Sequence, residues 1–308
     1  MSSSAYLASN TYGKDNVRLL KVARDPVDSS VQHVIELTVQ VLLEGELEVA
    51  YTKADNSPVV PTDTVKNTIY ILAKQASPWP IERFGATLTN HFVTKYQHIS
   101  KATAYIKQHR WTRYAVDGKP HNHSFIQDGR ELRTAKVQKT KTGAFVIESG
   151  IKDLTVLKST GSQFWGYNKC EYTTLEETYD RILSTDVDAV WTWNGTRFAN
   201  IRDVDYVADT GAFDSVYDVA RNTTLRTFAL ENSASVQATM YNISEEIIKK
   251  APLVDQVYFA LPNKHYVAAN LEWFQDTKNK GKDAEVFVPL SDPNGLIKSV
   301  VRRRASKL

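Results

Sequence analysis

At 308 residues, with 42% hydrophobic and 24% charged side chains, the chain has the composition of a soluble globular protein and exceeds what one hydrophobic core usually serves, so two lobes are expected. A net charge of +3 is too weak to imply a nucleic-acid partner, and Arg302-Arg303-Arg304 reads as a solvated tail. The longest apolar runs, such as Val41-Leu42-Leu43, fall far short of a bilayer span, and Cys170, the single cysteine, excludes an intrachain disulfide and every thiolate metal cluster.

The first ten residues carry no basic stretch followed by an apolar one, so no secretory leader is expected. The clearest periodicity runs from Ile35 to Tyr51. Ile35, Leu37, Val39, Val41 and Leu43 alternate with other residues, and Leu47, Val49 and Tyr51 continue the phase beyond Gly45. Period-two alternation on both sides of Glu44-Gly45-Glu46 predicts a long antiparallel hairpin with one buried face. Thr62-Asp63-Thr64 then offers capping side chains for a helix that continues through Gln75. A second helix is expected from Pro80, with Ile81, Phe84, Leu88, Phe92 and Tyr96 as one apolar stripe. A strand-like stretch through Tyr105, Ile106, Trp111 and Tyr114 ends at the turn Asp117-Gly118-Lys119-Pro120.

The second half repeats the plan. Strands are expected through residues 155–159 and 189–193, helices through Val216–Phe228 and Val236–Ile247, and a strand through Val257, Phe259 and Leu261. Residues 195–212 and 273–284 read as loops. Strands followed by helices in each half predict an antiparallel α+β fold rather than a doubly wound sheet. Two open four-stranded sheets with helices on one face would leave edges bare, so pairing with copies of the chain is expected on physical grounds.

Several chemistries are not encoded. The thirteen glycines form neither GxGxxG nor a Walker loop, and neither HExxH nor GxSxG occurs. The one metal-like spacing is His121-x-His123, which on a strand would project to one face. With no third ligand nearby in sequence, the pair reads as turn histidines and no metal site is expected. The last three residues, Ser306-Lys307-Leu308, match the peroxisomal import signal. A peroxisomal location and its import receptor are therefore expected, and peroxisomes house oxidases that release hydrogen peroxide.

Nine blocks carry a closer resemblance: YGKDNV (12–17), LLEGELEVAYTKADNS (42–57), PTDTVKNTIYILAK (61–74), DGKPHNHSF (117–125), LTVLKSTGSQFWGY (154–167), DRILSTDVDA (180–189), NSASVQATMY (232–241), LPNKHY (261–266) and DPNGLIK (292–298). In this order they resemble the urate oxidase (uricase) family of fungal and yeast type. The resemblance implies the tunnelling fold, two tandem ββααββ repeats at 1–140 and 141–308, and a homotetramer around a tunnel with active sites at subunit interfaces. It also implies oxidation of urate by O2 and water to 5-hydroxyisourate and H2O2, without a cofactor.

Carried over by motif, Lys14, Thr62 and His265 correspond to the family's proton-relay triad. Desolvation lowers the pKa of a lysine amine, a threonine hydroxyl donates and accepts at once, and histidine titrates near neutral pH. Arg181 and Gln237 correspond to the clamp on a flat anionic ring: a guanidinium fork suits an anionic edge, and an amide suits an amide-like edge. Phe164 corresponds to the residue stacked on the ring, backbone N–H groups of Asp63 and Val236 to further donors, and Asn263 to the holder of oxygen or water. Taken alone, Lys14 reads as a solvated charge, Thr62 or Asp63 as a helix cap, His265 as a strand residue, Arg181 as half of a surface ion pair, Gln237 as a solvated helix residue and Phe164 as core. Two alternatives stand beside this reading: an inactive purine-binding relative, and a metal-dependent pterin-type enzyme of the same fold using His121 and His123.

Overall fold

The computed structural model describes residues 4–305; the targeting tripeptide Ser306-Lys307-Leu308 lies outside them. The elements in chain order are β1 (Tyr12–Arg24), β2 (Gln32–Gly45), α1 (Glu48–Thr52), α2 (Thr62–Gln75), α3 (Ile81–Lys95), β3 (Ile99–His109), β4 (Thr112–Val116), β5 (Lys119–Ile126), β6 (Leu132–Thr140), β7 (Phe145–Lys158), β8 (Leu183–Trp193), α4 (Ile201–Asp209), α5 (Ala212–Leu230), α6 (Val236–Lys250), β9 (Val254–Ala268) and β10 (Phe287–Arg302). Two compact units divide the chain: Met1–Ile151 with Trp191–Asp218 and Leu253–Asp255, and Lys152–Val190 with Val219–Pro252 and Gln256–Leu308.

The first unit follows ββααββ, with strand order β1-β2-β3-β6 and every registered pair antiparallel. Alternation along β2 buries Ile35, Leu37, Val39, Val41 and Leu43 completely. Against them pack Val65, Ile69 and Ala73 of α2 and the stripe Ile81, Phe84, Leu88 and Phe92 of α3. Each of these side chains larger than alanine contributes about 1.5–3 kcal/mol by leaving water.

The long hairpin is displaced from its expected place. Its two strands are β1 and β2, and its turn lies at 25–31, where the Asp25 carboxylate accepts the N–H groups of Val27 (2.8 Å) and Asp28 (3.1 Å). Beyond Gly45 the chain forms the single helical turn α1 instead of a returning strand. The reason is pairing: β2 has β1 on one side and β3 on the other, so residues 47–51 have no free edge to join.

Three smaller differences have local causes. The strand expected through Tyr105–Tyr114 is two, because Arg110 turns aside to Asp128 (2.5 Å) and Glu131 (3.2 Å) and β4 starts a separate hairpin with β5. Asp117 and Gly118, with φ of 51° and 76°, make its two-residue turn. Residues 195–212, expected as loop, contain α4, announced by a capping box in which Asp203 accepts the Asn200 N–H at 3.0 Å. Arg302 and Arg303 are not a free tail: Arg302 donates to Gln256 (2.7 Å), and Arg303 caps α6 through the Ile248 and Ala251 carbonyls.

One buried ionic network ties the first unit together. Glu82, fully buried, accepts from Arg133 (3.0 Å) and from the Ser149 hydroxyl (2.7 Å), which itself accepts from the Trp193 indole (2.8 Å). Arg133 also reaches Asp214 at 2.5 Å.

Along the chain the second half repeats the plan with β7, β8, α5, α6, β9 and β10, in strand order β7-β8-β9-β10. Val236, Met240, Ile243 and Ile247 of α6 and Val257, Phe259 and Leu261 of β9 are buried periodic residues of the second unit, as their spacing predicts.

Candidate active site

In the first unit the candidate residues gather where β1 begins and α2 begins. Gly13 lies so close to β2 that a Cβ there would sit 1.9 Å from the Val41 carbonyl oxygen, which makes glycine obligatory and holds the backbone at Lys14 firmly. Directly after Lys14 the pairing with β2 shifts, with Asn16 at a φ of 54°. Such a bulge re-aims the neighbouring side chain.

The Thr62-Asp63-Thr64 side chains do not cap α2. Pro61 occupies the cap position, no side chain takes the first N–H groups, and Thr62 is the first helical residue, exposed. The reason is local: the Asp63 carboxylate folds back onto its own helix, paired with Lys66 and accepting from Asn67 at 3.0 Å. The helix start therefore presents unspent donors and the positive end of its dipole. Lys66 beside Asp63 holds its carboxyl below the ordinary range, and the Lys14 charge adds to that effect. Lys14 and the first turn of α2 are thus electrostatic neighbours.

In the second unit a buried pair of serines organises the rest. Ser162 and Ser233 are both buried and bridge in parallel, with Gln163 N–H donating to the Ser233 carbonyl at 2.7 Å and Ser233 N–H to Gly161 at 2.9 Å. The bridge draws the segment carrying Phe164 to the segment leading into α6, which Ser235 caps through the Ala238 N–H at 3.1 Å. Val236 and Gln237 are the first two residues of that helix, the first buried and the second exposed.

Phe164 is held by a two-way backbone bridge to Thr178 (2.8 and 3.0 Å). The Arg181 guanidinium lies 5.2 Å from the Phe164 ring centroid, its Nε donating to the Ser162 hydroxyl at 3.4 Å and a terminal nitrogen to the Gln163 carbonyl at 3.5 Å. It is half-buried, burial draws its pKa below the ordinary value, and it meets no carboxylate among the described residues. The expectation of a surface ion pair therefore fails. A desolvated guanidinium with only long, neutral hydrogen bonds keeps its charge and most of its donors for an anion.

Asn263 and His265 share one face of β9 by alternation, in phase with Phe259 and Leu261. The pairing with β10 is interrupted opposite them: Asn263 faces Gly295, His265 faces Leu290, and 291–294 fall out of register between. The Asn263 side-chain oxygen is buried without a hydrogen-bond partner among the described residues, an acceptor open to a small ligand or water. His265 is exposed.

Lys14, Thr62 and Asp63 thus form one group, Phe164, Arg181, Val236 and Gln237 a second, and Asn263 with His265 a third on β9. His121 and His123 lie on β5, ring against ring at 4.6 Å, with the His123 N–H on the His121 ring nitrogen at 3.4 Å. No group of three or more His, Cys, Asp or Glu that could hold a metal occurs among the described residues. Sequence reasoning passed over Ser162, Ser233 and Tyr167, whose ring stacks on Phe164 at 4.9 Å. The serines sit inside the quoted blocks, but a buried serine pair has no periodic signature.

A family model described as "Uricase" matches residues 10–138 and 147–298. The chain is 55% identical over 306 residues to the uricase of Cyberlindnera jadinii, covering 99% of this chain and 100% of that one. It is 53% identical to the uricase of Aspergillus flavus, covering 96% of each. The crystal structure of uricase from Arthrobacter globiformis superposes with a TM-score of 0.85 at 36% identity, over 99% of this chain and 98% of the other.

Proposed function

The chain belongs to the uricase family, and from that premise we propose how its residues share the work of oxidising urate with molecular oxygen. The reaction takes two electrons and two protons from urate, reduces O2 to H2O2, and adds the oxygen of water at ring carbon C5, giving 5-hydroxyisourate. Urate's conjugated ring is itself the electron donor, so the reading requires no cofactor and asks of the protein only positioning, proton transfer and electrostatics.

One observation carries the assignment: a half-buried arginine without a carboxylate, laid over an aromatic ring. That arrangement suits a flat, anionic, hydrogen-bonding ring. Arg181 takes the anionic edge, Phe164 the ring face, Gln237 the amide-like edge, and the N–H groups of Val236 and Asp63 further acceptors. Asn263 holds oxygen, then water, above the ring plane. Lys14, Thr62 and His265 relay the protons that urate must lose.

Each pocket is completed by residues of two copies of the chain in a homotetramer. Bare apolar edges support this: β1 exposes Leu20 and Val22, and β10 exposes Val288, Leu296 and Val300. Ser306-Lys307-Leu308 would deliver the assembly to the peroxisome through its import receptor.

Complementation tests the shared pocket. Lys14→Met and Arg181→Gln chains, each inactive alone, are co-expressed. If one pocket draws Lys14 and Arg181 from different copies, random mixing restores about a quarter of the sites. Mixed assemblies as inactive as their parents would sink the shared pocket.

A further inference from the structure

We propose that Tyr12 is a positioning residue for urate oxidation, its hydroxyl setting the distance between Lys14 and the first turn of α2. The inference rests on the roles given above to Lys14 and Thr62.

The segment entering α2 runs Asn56-Ser57-Pro58-Val59-Val60-Pro61. Two prolines leave the stretch from Pro58 to Pro61 only two backbone donors. The Val59 N–H closes a turn onto the Asn56 carbonyl at 3.0 Å. The Val60 N–H donates to the Tyr12 hydroxyl at 2.9 Å. Val60 is 4% exposed, so without Tyr12 that donor would be buried and unpaired.

The placement gives this bond leverage. Tyr12 and Lys14 stand in unbroken register with Leu43 and Val41 of β2, so both side chains leave the same face of β1. Val60 precedes Thr62 by the same two residues. The bond thus joins matching ends of two short segments whose other ends carry Lys14 and Thr62. Among the described residues no other hydrogen bond joins residues 12–17 to residues 56–63.

The far half of α2 has its own anchors. The Tyr70 hydroxyl donates to the Arg18 carbonyl at 3.3 Å, and the Lys21 ammonium donates to the carbonyls of Ala73 (2.7 Å) and Ala76 (2.9 Å). Its catalytic end depends on Tyr12. Burial raises the Tyr12 pKa despite the opposing Val60 bond, so the strut is a neutral phenol at neutral pH.

Tyr12→Phe keeps the ring and its packing and removes only the acceptor. In the full-length oligomer, kcat should fall about tenfold while KM and the anaerobic dissociation constant for urate stay within about twofold, because misplacing a reacting group costs turnover rather than binding. The double variant Tyr12→Phe/Thr62→Ala should be no slower than Thr62→Ala alone, since both changes act on one group. An unchanged kcat would overturn the proposal, with or without a lowered melting temperature, as would losses that multiply in the double variant. If Lys14→Met and Thr62→Ala are themselves fully active, the relay fails and the strut falls with it. If those two are crippled and Tyr12→Phe is not, the strut alone fails.

Discussion

Replacing Arg181 by glutamine should separate urate binding from folding, and the geometry says by how much. The guanidinium has only two long neutral hydrogen bonds, at 3.4 and 3.5 Å, and a contact over Phe164. Its removal strands no carboxylate, so the folding cost is limited to the ring contact, about 0.5–1 kcal/mol. Two charge-assisted bonds to an anionic ring edge are worth about 1.5–3 kcal/mol each before imperfect compensation by water. A net loss of about 3–4 kcal/mol corresponds to a dissociation constant raised 100- to 1,000-fold. Anaerobic calorimetric titration with urate itself measures this without turnover, and thermal melting alongside should move by no more than about 3 °C. Arg181→Lys keeps the charge without the fork and should recover only about tenfold of the loss. An affinity for Arg181→Gln within threefold of wild type would refute the clamp.

Lys14→Met should lower kcat by about two to four orders of magnitude with anaerobic urate affinity nearly unchanged; full turnover in a stopped-flow assay would remove it from the relay. Asn263→Ala should likewise reduce turnover while sparing urate affinity, because its buried oxygen has no protein partner to lose; an affinity loss as large as that of Arg181→Gln would place it on the ring edge instead. Glu82→Ala removes the fully buried carboxylate from Arg133 and Ser149, leaving Arg133 only the more exposed Asp214, and should destabilise by about 2–4 kcal/mol, read by urea unfolding; a cost below about 1 kcal/mol would contradict a tight network. Asp128 is held at about 2, below its ordinary 3.8, chiefly by its bond to Arg110. Because the folded pKa is the lower one, its stabilisation is present above about pH 4 and lost as pH falls through about 2. With its side chain 34% exposed, solvent screening reduces the contribution to about 1 kcal/mol. Wild type and Asp128→Asn should therefore differ in unfolding free energy at pH 5 and converge near pH 2; a constant gap would refute the assignment.

Periodic elements were legible in the chain and pairing was not. The stripes of α3 and α6 and the alternation of β2 are each written within one element, and the structure holds them where the spacing puts them. The returning strand at 47–51 failed because alternation cannot report that both edges of β2 are taken. Helix α4 was missed although Asn200 and Asp203 spell its capping box, since the segment lacked a matching block. At the site, the family resemblance supplied residue identities. Only geometry shows that Asp63 turns back on its own helix, that Arg181 lacks a carboxylate, and that Ser162 and Ser233 draw two distant segments together.

The central claim is best met by following urate absorbance and dissolved oxygen together, with the purified protein freed of metal by chelation. The account predicts one O2 consumed and one H2O2 released for each urate lost, at a rate the chelator does not alter. Urate that binds without being consumed, or turnover restored only by added metal, would contradict it.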